Sequence, residues 1–213
     1  MNDIVILIFQ LVVLIFSIII HEVSHGLAAL RLGDQTAKNA GRLTLNPIKH
    51  LDTFGSFILP ISLYILSGGT LILGWAKPVP YNPLNLKNPK TGAGIIAATG
   101  PISNLLVAVV FGIILRLIFP FAEIPLFANL AVLFSLIIFI NILLAVFNLV
   151  PLPPLDGSNI LFALLPESWR PVRDFLVRYG FYLLIVFILF GFQFIAPIIT
   201  LLYRLITGPA GAF

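Results

Sequence analysis

Residues 4–20 form an apolar run interrupted only by Gln10 and Ser17, and the run leads directly into His21, Glu22 and His25. That junction constrains the chain more than any other feature. Such a run is long enough to cross most of a ~30 Å hydrocarbon layer as a helix. In lipid, a helix satisfies its own backbone, so it is the natural state of the segment. Ionisable side chains at that depth are costly and point to a functional site. The rest of the chain agrees. Of 213 residues, 60% are hydrophobic and 9% charged, whereas soluble domains are about a quarter charged. No basic residue precedes the run and no small-residue cleavage site ends it, so it reads as a retained helix, not a signal peptide.

The pattern predicts helices over about 3–32, 91–119 and 125–149, and a short one near 158–165. The apolar region 179–206 contains Gln193 and Pro197 and reads as one kinked helix or two short ones. Residues 54–66 are apolar. The Pro-rich stretch 70–83 reads as an extended segment or hairpin. No internal repeat or soluble appendage is visible, so residues 1–213 read as a single membrane-embedded domain.

The chain has no cysteine, which excludes disulfides, thiolate metal sites and a cysteine nucleophile. A metal would have to be held by His, Asp or Glu, and the sequence contains three His, three Glu and five Asp. Residues 21–25 read HEVSH. Positions four apart lie on one helix face, so His21 and His25 can aim at one ion. Glu22 lies about 100° around the helix, on the flank of that face and within reach of a water. This is the arrangement of two zinc ligands and a general base. A tetrahedral site needs a third protein ligand, an oxygen ligand or His50. Asp156 is the best candidate. It follows the prolines of LPPLDG, where an unwound segment beside Gly157 can turn a carboxylate inward.

These motifs resemble the site-two protease family of intramembrane zinc metalloproteases, in a minimal form without accessory soluble domains. HEVSH (21–25) is similar to the family's zinc helix. NLVPLPPLDG (148–157) is similar to its second motif, whose Asp is the third ligand. GPISN (100–104) is similar to its turn on the intervening helix. GRLTLNPIKHLD (41–52) and GWAKPVPYNP (74–83) resemble segments of small bacterial and archaeal members. The resemblance implies Zn2+ as cofactor, a three-helix catalytic core, a transmembrane protein segment as substrate and the lipid bilayer as surroundings. The combined expectation is an all-α polytopic membrane protein of five to six transmembrane segments with a short re-entrant helix/strand hairpin. Its expected site is Glu22 as catalytic base, His21, His25 and Asp156 as metal ligands, and Asn104 and Asn148 as substrate-binding residues. The two Asn have an equally good alternative as hydrogen-bonding groups between helices.

His21 lies about 27 Å along the first helix at 1.5 Å per residue. Arg31, Lys38, Arg42 and Lys49 follow it, so that end is expected to be cytoplasmic in a bacterial or archaeal cell membrane. For Asp156 to reach the same depth, helix 125–149 must run parallel to the first helix and 91–119 antiparallel to it. Residues 33–91 must then cross an even number of times, or turn back as a hairpin. An exposed strand edge at 70–83 could pair with an extended substrate. Trp75 and its prolines could equally anchor a turn at the interface. The three Arg of 167–178 are expected to set topology, and Arg116 and Glu123 to lie at the outer interface. With a net charge of +4, basic residues here report orientation and no nucleic-acid partner is expected. A transporter would spread polar groups along several helices, and a non-catalytic zinc scaffold would dispense with Glu22.

Overall fold

A computed structural model describes residues 2–52, 58, 62, 65 and 77–211. The described residues are helical with no strand, and four helical segments are long and apolar enough to cross a membrane. The protein is an all-α polytopic membrane protein. Its four spans among the described residues compare with the five to six expected. The hairpin expected over 54–83 falls mostly outside the described residues. Its last part, 77–82, runs without helix or strand into a single turn at Pro83–Asn85.

Helix α1 (Asp3–Arg31) starts at Asn2, whose side chain accepts the Ile4 N–H. It stops where Gly33 takes φ +105° and the Asp34 N–H returns to the Ala29 carbonyl at 2.9 Å, while Gly33 N–H bonds Leu30 at 3.1 Å. This paired bonding satisfies the last carbonyls of the helix. Asp34 then ties the helix end to a distant turn. Its fully buried carboxylate accepts from the Thr36 N–H and hydroxyl, the Asn82 N–H and the Asn85 amide. Burial pushes the Asp34 carboxyl up, but these hydrogen bonds outweigh it and hold it below its ordinary value.

Helix α2 (Pro89–Ile118) is capped by Asn88 and begins with Pro at its first position; α3 (Pro125–Asn148) also begins with Pro. A missing N–H costs nothing there. The expected turn at GPISN is absent. Residues 100–104 continue the α2 helix through Pro101, which removes one ladder bond without ending it. Short α4 (Asp156–Leu164) follows the irregular segment after α3. Helix α5 (Arg170–Val186) joins α6 (Phe192–Thr207) through a π-helical turn at Phe187–Gly191. Of the two expectations for 179–206, one kinked helix or two short ones, the structure gives one continuous helical segment with an interruption. The break lies at the π turn, with Pro197 inside α6.

Helices α1, α2 and α3 pack against one another, and α2 also touches α4 and α6. Ser17 meets Asn104 and His25 meets Ile96, so α1 and α2 are antiparallel. Asn104 meets Asn141 and Phe111 meets Phe134, so α2 and α3 are antiparallel. These are the directions that the ligand argument required. The core between α2, α3 and α6 is made of Ala108, Leu115, Ile138, Ile142, Ile195 and Ile199. Residues such as Ile4, Leu7, Ile8 and Leu11 stay exposed on α1, as a lipid-facing surface requires. At the other end, Arg116 Nε donates to the Ile206 carbonyl at 2.9 Å and Nη2 donates to that of Leu205. It thereby caps α6, a more specific role than the interfacial one expected.

Candidate metal centre

His21 and His25 sit one turn apart on α1 with ring centroids 4.7 Å apart and planes at 89°. Each is held from behind by α2. His25 Nδ1 lies 2.7 Å from the Ile96 carbonyl, and His21 Nδ1 lies 2.7 Å from Asn104 Oδ1. A carbonyl can only accept, so His25 Nδ1 carries the proton and its Nε2 presents a lone pair. Both Nε2 atoms point at one oxygen, Asp156 Oδ2, at 2.9 Å from His21 and 3.2 Å from His25. Asp156 occupies the first turn of α4, not an unwound segment as the sequence suggested. Gly157 also acts differently from expectation. A Cβ there would come within 2.2 Å of the Leu149 carbonyl oxygen, so the glycine allows the chain after α3 to fold tightly under Asp156.

The three ligand atoms lie within 4.8 Å of one another. Asp156 Oδ2 is buried and has no hydrogen-bond partner. Facing lone pairs from two imidazoles and a carboxylate repel unless a cation lies between them, so the residues fit a metal. Two His, one carboxylate and an open side form the donor set of catalytic zinc sites. Gly100 shapes the floor. A Cβ at that position would lie 2.5 Å from His21 Nε2 and 2.6 Å from His25 Cε1.

Glu22 lies beside the ligands on a cavity of about 210 Å³ that is also lined by His21, His25, Tyr81, Asn148 and Asp156. Its Oε2 accepts the Val79 N–H at 2.8 Å. Pro78 and Pro80 have no N–H, which leaves Val79 as the donor of that stretch. Tyr81 was not singled out from sequence. It lines the same cavity, and burial, and then the negative charge of Asp156, push its phenol above the ordinary value. Asn148 lines the cavity and donates one amide N–H to the Leu144 carbonyl at 2.9 Å. Asn104 is fully buried behind His21, with Ser17, His21 and Asn141 as its partners. His50 is buried away from the ligand group, with Nε2 2.7 Å from the Thr44 carbonyl. Sequence reasoning missed the Val79 and Ile96 backbone groups, because a backbone N–H or carbonyl has no residue signature.

A carboxylate beside a potential metal site, set among helices apolar enough to span a bilayer, is an arrangement that fits a membrane metallopeptidase. The profile of Peptidase family M50 matches residues 9–122 and 122–191. The chain belongs to this family, that of the site-two proteases. It is 38% identical over 181 residues to "Putative zinc metalloprotease YwhC" of Bacillus subtilis (strain 168), covering 84% of this chain and 78% of that one. The Rip2 protein of Mycolicibacterium smegmatis is 29% identical over 176 residues, covering 82% and 64%. Rip2 of Mycobacterium tuberculosis (strain ATCC 25618 / H37Rv) is 32% identical over 163 residues, covering 75% and 60%. Both carry the same zinc metalloprotease name. No solved structure matches the chain. Family and donor set together make it a zinc metalloprotease of the membrane.

Proposed function

We propose that this chain is a single membrane-embedded domain that hydrolyses peptide bonds in the transmembrane segments of other proteins, with Glu22 as general base. The observation that carries the reading is the convergence of His21, His25 and Asp156 on one point beside Glu22, among helices that span the bilayer. His21, His25 and Asp156 would hold the zinc. Bound zinc supplies Lewis acidity, which makes a water acidic enough to be deprotonated near neutral pH.

Glu22 accepts the proton of the attacking water as the new C–O bond forms. It returns that proton to the amine nitrogen as the C–N bond breaks. The Val79 N–H holds one carboxylate oxygen still and leaves the other for the proton. Asn148 and Tyr81 line the same cavity, where an amide and a hydroxyl can hydrogen-bond the substrate backbone. Residues 77–82 form one wall, where an unwound substrate segment can lie extended. The Lys77 N–H bonds the His50 carbonyl at 2.9 Å and Arg42 donates to the Lys77 carbonyl at 2.6 Å, so this wall is anchored from behind. Arg31 at the end of α1 and Lys38, Arg42 and Lys49 after it support a cytoplasmic position for the site.

The purified protein in liposomes, given single-span peptides with Gly or Asn in the apolar segment, should cleave within that segment. A strong zinc chelator should stop cleavage and added zinc should restore it. Mass spectrometry of the products checks both points. Cleavage unaffected by the chelator, or confined to soluble flanks, would contradict the proposal.

A further inference from the structure

Beyond the converging ligands, the three-helix core buries one more polar cluster. It consists of Ser17 on α1, Asn104 on α2 and Asn141 on α3, exposed by 3%, 0% and 0%. The contacts of the two carboxamides fix which way each one points. Asn141 Nδ2 lies 2.9 Å from the Ile137 carbonyl, which can only accept, so that atom is the amide nitrogen. The Asn141 Oδ1 therefore faces Asn104, at 2.9 Å, and Asn104 must present its own NH2 there. The same Asn104 nitrogen is 3.2 Å from the Ser17 carbonyl, again an acceptor only. Asn104 Oδ1 is left facing His21 Nδ1 at 2.7 Å. An acceptor at that point requires the proton on Nδ1, which leaves the Nε2 lone pair for a ligand. Ser17 Oγ closes the cluster by accepting the second Asn141 N–H at 2.9 Å.

From this chain of polarities we infer that Asn141 is a positioning residue for metal binding, acting through Asn104 to fix the tautomer and ring orientation of His21. Two backbone carbonyls anchor the direction of the relay, and it ends at the ligand. His25 needs no such relay, because the Ile96 carbonyl bonds its Nδ1 directly. The site thus orders one ligand from the backbone of α2 and the other from side chains contributed by all three core helices. Partners behind a metal-binding His fix its tautomer and raise its basicity. The inference rests on the proposed zinc site and adds a residue that touches neither metal nor substrate. If Asn141 only packed the helices together, removing it would loosen the protein and leave zinc affinity as it was.

Two measurements on the purified full-length protein test the relay. The first is equilibrium competition for Zn2+ with a chelator, for wild type, Asn141→Leu, Asn104→Leu and the double variant. Asn104→Leu should weaken zinc binding by about 10–100-fold, the range for losing a ligand's hydrogen-bond partner, and Asn141→Leu should weaken it in the same direction by no more than that. The double variant should be no weaker than Asn104→Leu alone, because Asn141 acts only through Asn104. The second is 15N-histidine NMR of zinc-loaded wild type, which does not depend on any variant folding. It should find Nδ1 of His21 protonated and Nε2 bound to the metal. Zinc affinity unchanged in Asn141→Leu, or His21 bound through Nδ1, overturns the relay and leaves the zinc site standing. A wild type that binds no zinc overturns both.

Discussion

Replacing Glu22 with Gln should lower peptide cleavage by about 10²–10⁴-fold, the usual contribution of a general base, while leaving zinc content unchanged. The two side chains have the same shape. The Gln carbonyl oxygen can accept the Val79 N–H that now bonds Glu22 Oε2 at 2.8 Å, so the wall of the cavity stays in place. Glu22 is also absent from the group of His21, His25 and Asp156 that converges on one point. The change therefore removes proton acceptance and little else. Cleavage rates and elemental zinc, measured on the same preparation, check the result. Cleavage at the wild-type rate would refute the role of Glu22 as base. Zinc loss would mean that Glu22 is itself a ligand.

An equally large effect is expected from adding one methyl group behind the metal centre. In Gly100→Ala the new Cβ would sit 2.5 Å from His21 Nε2 and 2.6 Å from both His21 Cε1 and His25 Cε1. The rings cannot move aside freely, because both Nδ1 atoms are hydrogen-bonded to α2, the helix that carries Gly100. Either those bonds break or the Nε2 atoms leave their shared target. A misplacement of about 1 Å can cost 10²-fold in catalysis, and zinc retention should fall with it. Zinc content and cleavage of the variant, each against wild type, decide the point. If both are unchanged, the two rings do not share the packing described.

The sequence made the candidate ligand group legible because its signal is spacing. Four residues on a helix put His21 and His25 on one face, and a Pro-rich break before Asp156 marked a carboxylate that could turn inward. The antiparallel placement of α2 between α1 and α3 also followed, since Asp156 had to reach the depth of His21. What stayed hidden depends on the backbone or on three-dimensional neighbours. Asp156 begins α4 instead of lying on an unwound stretch. Gly100 and Pro101 are part of a continuous helix, and the glycine is needed for ring space, not for a turn. The Val79 N–H and the Ile96 carbonyl had no residue type to announce them. Asn141 could have been suspected as an amide well inside an apolar helix, and Ser17 because it lies one turn before His21. Their connection to the ligand needed the packing of all three helices.

The most direct test of the account is zinc-edge X-ray absorption on the purified, zinc-loaded protein. One zinc per chain is predicted. Its shell should comprise two imidazole nitrogens at about 2.0–2.1 Å and oxygen donors at about 2.0–2.2 Å, and the same loading of Asp156→Ala should leave little metal bound. A protein that takes up no zinc, or a shell with fewer than two imidazoles, would contradict the site described.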